Sequence, residues 1–396
     1  MMYVLRIAAL FFLFCITLPL VLVFSPIRWL RKSWTNRDFF SVWAGSPIIN
    51  MGINARAERL LGINAKSLVY STYYTTCDFD YNLSRWYSIP ILGKLTPFVV
   101  FLWASLFADR LHFYCDRGLI PSLKPFAFNF AELYVYKLLG IQVFFWTYGA
   151  DVRSREATKT LGEPNCCTEC TLVGKACFCD ERERIKKIGR LKKYSDAVFS
   201  IGDMIEYTPG SRNDLFFWPV DLNGKNAHKY EPAYPKKDTQ GPLRIVHASN
   251  HRMFKGTHFL IEAVENLKAE GIPVELILVE KVPNEKALDI YRSADIVFDQ
   301  FLIGFHGYFA LEAMSIGKPV MCFIRKPEEY LLHPEECPII NTHLNTLQED
   351  IHYFVDNREC LTDIGMRSRQ YIEKYFTLEA FAERLKKAYK ELGVLK

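Results

Sequence analysis

The sequence predicts an α/β protein with two domains, each built on a doubly wound parallel sheet, behind an N-terminal membrane helix. The chain has 396 residues, 50% of them hydrophobic, which is enough apolar material for two cores. Residues 243–323 alternate short apolar strands with helices, as parallel sheets do. Residues 7–27 carry no charge and are long enough to cross a hydrocarbon core of about 30 Å as a helix.

The N-terminal apolar run is predicted to be a retained anchor. Only Arg6 precedes it and no Ala-x-Ala-like cleavage site follows it, which argues against a signal peptide. Pro19 and Pro26 leave open a bent helix that lies in the membrane interface. Basic residues follow the run, and by the positive-inside rule they place the body of the protein in the cytoplasm: Arg28, Arg31, Lys32 and Arg37. We therefore expect a membrane protein, single-pass or peripheral.

A second apolar stretch, residues 95–108, is short for a membrane span. We favour a buried helix of the first domain, and the alternative is a helix that dips into the membrane. The net charge of +5 is mild for this length and shows no clustered basic patch, so no nucleic-acid partner is expected. A mildly basic protein suits an anionic membrane surface, so membrane lipid is the expected partner.

The elements fall into four regions. The anchor is residues 1–32, and a first domain, residues 33–224, has predicted strands at 39–44, 67–72, 141–147 and 196–200 and helices at 55–61, 127–139 and 181–194. Glycine and proline mark a linker at 225–242. The second domain, residues 243–396, has predicted strands at 243–248, 274–279, 296–299 and 319–323. Helices at 256–270, 284–293 and 308–316 lie between them.

Ligands of doubly wound sheets bind beyond the carboxyl ends of the strands, so the functional loops should follow Ala248, Val279, Asp299 and Phe323. After Asp299 a glycine-containing loop leads into a helix near Tyr308. The free N–H groups and positive dipole end of that helix suit a diphosphate. Glu312, about one turn inside the helix, can accept both hydroxyls of a ribose. The alternative is a solvated helix residue, which its apolar neighbours disfavour.

Two cations follow the first strand of the second domain. Arg252 and Lys255 lie on a strand-to-helix connection, where they can neutralise a departing diphosphate. Stabilising that developing charge is catalytic work, so both are predicted catalytic residues. The alternative is a pair of solvated surface cations.

Residues 294–320 resemble the donor-binding region of family 4-type retaining glycosyltransferases, a GT-B family that includes bacterial surface-polysaccharide enzymes. The resemblance is carried by Leu311-Glu312-Ala313-Met314, by Gly317, Pro319 and Val320, and by the loop residue Gly307. It implies two Rossmann-like domains facing a cleft and a UDP- or GDP-sugar donor. It also implies transfer with retention of configuration and no catalytic divalent metal. The donor site would comprise Glu312, Gly307, Tyr308, Phe309 and His306.

This chain departs from the family pattern at one position. Gly304 stands where the family has a glutamate that approaches the donor sugar, eight residues before Glu312. His306, Asp299 or a backbone group would have to replace that side chain, or the donor is held differently. The departure bears on the identity of the sugar rather than on the nucleotide site.

The resemblance is weaker in the first domain. Residues 147–153 are similar to the family's His-Gly-x-Asp stretch, with Tyr148 at the histidine position. Asp151, a predicted catalytic residue, would contact sugar hydroxyls, or else it caps the following helix. Gly45 lies where the family has a glycine-rich loop near the donor phosphates, although a short glycine loop alone is weak evidence.

A cysteine-rich insertion near residues 166–179 interrupts the first domain. Cys167, Cys170, Cys177 and Cys179 are spaced so that four thiolates can hold a structural zinc ion. An iron–sulfur cluster, redox-active thiols and unrelated free thiols are the alternatives.

The sequence therefore predicts a membrane-attached glycosyltransferase that uses a nucleotide sugar and a lipid-linked glycan acceptor. The acceptor rests on analogy with the family. A nucleotide-sugar epimerase of the same architecture and a catalytically degenerate transferase-like scaffold are the alternatives.

Overall fold

A computed structural model of the chain describes residues 2–34, 39–73, 76–122, 127–175, 177–224, 227–237, 240–249 and 251–395. It contains two parallel sheets with helices packed on them. One sheet has six strands in the order β3-β2-β1-β4-β5-β6 and the other has five in the order β11-β10-β9-β7-β8. The predicted fold class, two Rossmann-like domains with an apolar N-terminal helix, is confirmed.

The first half of the chain forms the six-stranded sheet. Its strands are β1 (Phe40–Ala44), β2 (Asn64–Val69), β3 (Tyr81–Asn82), β4 (Arg110–Tyr114), β5 (Gln142–Trp146) and β6 (Ala197–Phe199). Its helices are α1 (Met2–Trp34), α2 (Ile49–Arg59), α3 (Ser84–Tyr87), α4 (Pro90–Phe107), α5 (Ala131–Leu138), α6 (Arg155–Lys159) and α7 (Glu181–Tyr194). Two 3₁₀ segments follow, Gly202–Tyr207 and Ala227–Tyr230.

The second half forms the five-stranded sheet. Its strands are β7 (Leu243–Ala248), β8 (Val274–Val279), β9 (Ile296–Phe298), β10 (Val320–Cys322) and β11 (Ile340–Asn341). Its helices are α8 (Arg252–Lys255), α9 (Thr257–Ala269), α10 (Asn284–Arg292), α11 (Tyr308–Ser315), α12 (Pro327–Tyr330), α13 (Leu347–Asp356), α14 (Glu359–Tyr375) and α15 (Leu378–Glu391). Every strand and helix predicted for residues 243–323 is present.

Strand β4 was not predicted, although it lies in the middle of the first sheet between β1 and β5. All five of its residues are buried, yet it contains Arg110 and His112, which break the apolar run expected of a central strand. Glu58 of α2 supplies the missing partner, since Arg110 Nη1 donates to Glu58 Oε1 at 2.9 Å. The buried charge of Arg110 is therefore paired with Glu58, which is more than fifty residues away in the sequence, so no local sequence pattern reveals this contact.

The last helix of the chain packs against the first sheet rather than the second. Tyr389 of α15 donates from Oη to Glu58 Oε1 at 2.9 Å, and Arg110 Nη2 donates to the carbonyl oxygen of Val394 at 2.9 Å. Burial opposes ionisation of Glu58, but the charges of His112 and Arg110 outweigh it and hold the pKa of Glu58 well below its usual value. The buried group formed by Glu58 and Arg110 therefore binds helix α15 and the residues after it to the first half.

The predicted division into domains stays a prediction. Residues 225–242 do separate the last strand of one sheet from the first strand of the other. Residues 225–226 and 238–239 of this linker lie outside the described residues, as does Arg37 of the basic flank. Helix α15 follows the strands of the second sheet in the chain but packs against the first sheet. The end of the chain therefore belongs to the core of the first half.

The two apolar helices near the N-terminus lie side by side. Phe12–Leu30 within α1, and Pro90–Phe107, which is α4, are each long and apolar enough to cross a membrane. The rings of Phe14 and Phe101 are 6.1 Å apart, and Val21 is fully buried. Helix α4 begins before the predicted stretch 95–108, and only one of its faces is buried.

Arg28 fixes the end of α1 to the protein body. It is 2% exposed, and its guanidinium donates to the carbonyl oxygens of Ala108 at 2.5 Å and Leu139 at 3.2 Å. Asp109 lies 3.7 Å away as its counter-charge. A buried, paired arginine of this kind couples the orientation of α1 to that of the first sheet.

Candidate active site

Four loops meet at the carboxyl edge of the second sheet, as predicted. Lys255 follows β7, Asn284 follows β8, Asp299 follows β9 and Arg325 follows β10. These strands are neighbours in one parallel sheet, so their carboxyl ends lie at the same edge. Of the four side chains, Lys255 was a predicted catalytic residue and Asp299 a candidate to replace the family glutamate missing at Gly304.

Lys255, Asp299 and the start of α11 form a connected group. Lys255 Nζ donates to Asp299 Oδ1 at 2.6 Å, and the other carboxylate oxygen accepts from the N–H of Gly307 at 2.5 Å. Burial disfavours the charged form of Asp299, but the ammonium of Lys255 and the N–H of Gly307 hold its pKa below the usual value. The ionised aspartate therefore holds the Lys255 ammonium close to the N-terminus of α11.

Glu312 lies on the second turn of α11 and is 5% exposed, so the alternative of a solvated helix residue is wrong. Asn284 Nδ2 donates to its Oε1 at 2.7 Å. Burial raises the pKa of Glu312 to about 7, against the opposing effects of that hydrogen bond and of Lys255. A carboxyl with this pKa is about half protonated at neutral pH, and further hydrogen-bond donors would favour its ionised form.

Arg252 does not join Lys255 in this structure. Its guanidinium makes a bidentate pair with Glu280, at 2.6 and 3.0 Å, and its side chain is half exposed. Asn250, on the same strand-to-helix connection, lies outside the described residues. The catalytic role of Arg252 therefore stays a prediction that requires it to leave Glu280.

The remaining predicted donor residues surround the start of α11. His306 is 4% exposed, and burial lowers its pKa to about 4, so its imidazole is neutral at physiological pH. Tyr308 donates from Oη to the carbonyl oxygen of Pro219 at 3.0 Å, and the ring of Phe309 lies 5.2 Å from Lys255 Nζ. Gly307 is the N-cap of the helix. These side chains shape the loop, and the free helix N–H groups face whatever binds there.

The facing edge of the first sheet carries a polar group that the sequence did not reveal. Ser46 Oγ and Tyr148 Oη both donate to Asp116 Oδ2, at 2.6 and 3.0 Å, and Asp116 Oδ1 is buried without a hydrogen-bond partner. Gly45 has φ +112°, and a Cβ there would lie 2.7 Å from the carbonyl oxygen of Arg117. Asp116 follows the unpredicted strand β4, so no pattern pointed to it.

Asp151 is fully buried and holds the loop after β5. Its carboxylate accepts from the N–H groups of Tyr148, Gly149 and Cys115, at 3.0, 2.9 and 3.2 Å. Burial, and then the charge of Asp116, raise the pKa of Asp151 to about 7. The interpretation of Asp151 as a helix cap is wrong, because Ser154 caps α6. A direct contact with a substrate stays a prediction, and here the carboxylate has no exposed surface.

The cysteine-rich segment bridges the two halves. The N–H of Cys166 donates to the carbonyl oxygen of Leu302 at 3.1 Å. A hydrogen bond from Cys166 lowers the pKa of Cys167 to about 6, whereas burial raises that of Cys177 to about 12.

The four predicted zinc ligands, Cys167, Cys170, Cys177 and Cys179, do not converge here. In the part of the chain that the structure describes, the ligand-type groups that gather within 4.8 Å are instead exposed ones: His333, Glu335 and Glu336. The zinc site therefore stays a prediction.

No protein-family model matches the chain, and no curated protein matches it in sequence. Solved structures do match its fold. Sucrose-phosphate synthase from Thermosynechococcus elongatus is 12% identical with a TM-score of 0.53, covering 90% of this chain and 99% of that one. Alr3699/HepE from Anabaena, solved with UDP-glucose, is 12% identical with a TM-score of 0.55, covering 89% and 99%. A glycosyltransferase from Rickettsia africae is 10% identical with a TM-score of 0.52, covering 91% and 100%. The chain therefore has the GT-B fold along nearly its whole length.

Proposed function

We propose that the protein is a glycosyltransferase that transfers a sugar from a nucleotide donor held by its second half. The observation that carries this proposal is Glu312, a buried carboxyl on α11 with its pKa raised to about 7. It lies on the helix whose N-terminus adjoins Lys255, so a hydroxyl-binding group and an anion-binding group share one loop and helix. A nucleoside diphosphate carries ribose hydroxyls next to its phosphates, so it can contact Glu312 and Lys255 at the same time. The solved GT-B structure of HepE, which contains UDP-glucose, supports this class of ligand.

The donor would lie along α11 and the loop before it. The ribose hydroxyls donate to Glu312, and the diphosphate accepts from the first N–H groups of α11 and from Lys255. Asp299 keeps Lys255 in place through their 2.6 Å ion pair. The sugar then extends toward residues 304–306, at the boundary with the first half. Arg252 joins the diphosphate when its pair with Glu280 opens.

The reaction would proceed with retention of configuration, as the family resemblance implies. The bond between the anomeric carbon and the diphosphate oxygen breaks, and an acceptor hydroxyl forms its new bond on the same face. The acceptor proton passes to the departing phosphate. Lys255 and the start of α11 stabilise the negative charge that develops there, an effect worth about a hundredfold to a thousandfold in rate for one well-placed donor.

The acceptor would bind at the edge of the first sheet. The unpartnered oxygen of Asp116 is directed by Ser46 and Tyr148, so it can accept a hydrogen bond from an acceptor hydroxyl. Asp151 acts as a positioning residue, because it holds the Tyr148 backbone and not the substrate.

We further propose that α1 and α4 attach the enzyme to a membrane and that the acceptor is a lipid-linked glycan. Large apolar side chains on both helices face outward: Phe12 is 64% exposed, Val23 69%, Trp29 79%, Ile91 74% and Val99 63%. Because Arg28 pins α1 to the body, the helices form one apolar surface beside the first sheet. The basic flank of α1 favours a catalytic body in the cytoplasm.

The test is calorimetric binding of UDP, GDP and their sugars to the purified protein. One nucleotide should bind, and Glu312→Gln should weaken it about tenfold to a hundredfold, the value of hydrogen bonds to a charged group. Glu275→Gln, an exposed glutamate on β8 paired with Arg244, is the control and should bind normally. Equal binding to wild type and Glu312→Gln would refute the assignment. Epimerised product formed from nucleotide sugar alone would instead support an epimerase.

A structural zinc ion in the cysteine-rich segment is a separate proposal. The four thiols lie on one segment, and Cys167 has the lowered pKa that favours a metal-binding thiolate. Metal analysis of the purified protein should find about one zinc per chain, and it should be lost in Cys167→Ser. Finding neither zinc nor iron in the wild-type protein would end the proposal.

A further inference from the structure

Arg325 is a cation without an anion beside the place proposed for the donor sugar. It follows β10 and is half-buried. Its Nη1 atom is buried and has no hydrogen-bond partner, and no ion pair joins its guanidinium to a carboxylate of the residues that the structure describes. A guanidinium nitrogen that is buried without a hydrogen-bond partner costs free energy, so an acceptor supplied by a ligand would be stabilising here.

The carboxylates on the facing side of this boundary pair with other cations, although Asp203 Oδ1 is buried without a hydrogen-bond partner. On the facing 3₁₀ segment Gly202–Tyr207, Asp203 pairs with Arg153 at 2.7 Å. Glu206 accepts from Lys326 Nζ at 2.7 Å and from Tyr330 Oη at 2.6 Å. Lys326 also pairs with Glu329 at 3.5 Å, and the charge of Arg325 helps to hold the pKa of Glu206 below its usual value. Arg325 is therefore near these carboxylates, but among the described residues its guanidinium forms no ion pair with any of them.

The guanidinium lies directly against Gly304. A Cβ at Gly304 would lie 2.5 Å from Arg325 Cζ and 2.6 Å from Nη1, so any side chain at 304 would displace the arginine. Gly304 also has φ +84°, which favours glycine. The guanidinium of Arg325 can therefore occupy this position only because residue 304 has no side chain.

The backbone around this arrangement is fixed. The N–H of Arg325 donates to the carbonyl oxygen of Gly304 at 2.9 Å. Gln300 ties the same loop together, since its Oε1 accepts from the N–H of Ile303 at 2.7 Å and its Nε2 donates to the carbonyl oxygen of Phe323 at 3.2 Å. Arg325 is therefore held against Gly304, which lies three residues before the N-cap of α11 in the chain, whereas Glu312 lies inside that helix.

We infer that Arg325 binds a carboxylate carried by the donor sugar, so that the donor is a nucleotide-linked uronic acid. The inference rests on the proposed function. A guanidinium forms two parallel hydrogen bonds with a carboxylate, a geometry that a neutral hydroxymethyl group cannot reproduce. A neutral sugar hydroxyl can accept only one such hydrogen bond and carries no charge to match the guanidinium, so the arrangement favours the carboxylate.

The test compares binding of UDP, UDP-glucose, UDP-glucuronate and UDP-galacturonate, with GDP, GDP-mannose and GDP-mannuronate as the second series. Wild type should bind one uronate about tenfold to a hundredfold more tightly than its neutral counterpart. Arg325→Gln should abolish that preference and leave affinity for the bare nucleotide unchanged, and Arg325→Lys should restore part of it. Lys326→Gln, which changes the neighbouring cation paired with Glu206, should keep the preference.

Three results would overturn the inference. A wild type with no preference for any uronate, or an unchanged preference in Arg325→Gln, would remove the role of Arg325. Equal weakening of the bare nucleotide in Arg325→Gln would assign the guanidinium to the diphosphate instead. Failure of the proposed function is distinct from these, since then no nucleotide binds, or Glu312→Gln binds it as wild type does. Thermal unfolding of each variant confirms that the measured protein is folded.

Discussion

The titration of Glu312 gives a quantitative prediction for donor binding. With a pKa of about 7, this carboxyl is half protonated at neutral pH in the free protein. The ribose hydroxyls must donate to the ionised form, so binding the nucleotide releases a proton below pH 7. Affinity should therefore rise with pH and level off above the pKa of the free protein.

The magnitude follows from the fraction of ionised Glu312. For a free-protein pKa of about 7 and a much lower value in the complex, affinity changes about tenfold between pH 6 and pH 8. Three other groups of the second half do not titrate in this window: the pKa values of His306 and His247 are both about 4, and that of Asp299 is below its usual value.

The assay is calorimetry with a nucleotide sugar, whose diphosphate does not titrate between pH 6 and pH 8. The dissociation constant should fall about tenfold over that range, with about one proton taken up by the buffer at pH 6. Glu312→Gln should bind more weakly and show no pH dependence. A flat wild-type profile, or a Glu312→Gln variant with the full tenfold dependence, would refute the reasoning. The second result would point to Asp151, which shares a pKa of about 7.

Three further predictions concern catalysis, stability and membrane attachment. Lys255→Ala should lower kcat/KM about a hundredfold to a thousandfold in a transfer assay, mostly through kcat, whereas a surface role predicts no change. Glu58→Ala should destabilise the protein by about 3–5 kcal/mol, because it leaves buried Arg110 without its partner. Since the folded pKa of Glu58 is depressed, its contribution should be present above its unfolded pKa and should be lost as pH falls below that value. Chemical denaturation across pH measures both effects. Finally, charging the exposed apolar surface with Val23→Asp and Val99→Asp should move the protein from liposomes into solution in flotation, whereas Tyr353→Asp on α13 should not. Unchanged flotation would contradict the proposed attachment.

The second half was predictable because its signals are local. Each strand is a short apolar run and each helix follows it within a few residues, so alternation alone fixed the parallel sheet and the edge at which ligands bind. Glu312 and Lys255 were predicted as site residues from their places near the start of helices. The structure confirmed the parallel sheet and showed that both side chains are partly or wholly buried.

Contacts between distant residues were not predictable. Strand β4 was missed because Arg110 and His112 are polar in sequence and become acceptable only beside Glu58. Asp116 was missed with it. Asp151 was correctly placed after β5, but its burial and its hydrogen bonds depend on Cys115 and Tyr148, which lie in the loops after two different strands, β4 and β5.

The sequence by itself determined the α/β class, the apolar N-terminal helix and the alternating strands and helices of the second half. Those features depend on periodicity and turn residues, which act over a few positions. Only the tertiary structure decided that α1 lies on α4, that α15 returns to the first sheet and that Arg325 lies unpaired against Gly304. Each of these depends on side chains tens or hundreds of residues apart, whose burial and pairing are set by the packing of the whole chain.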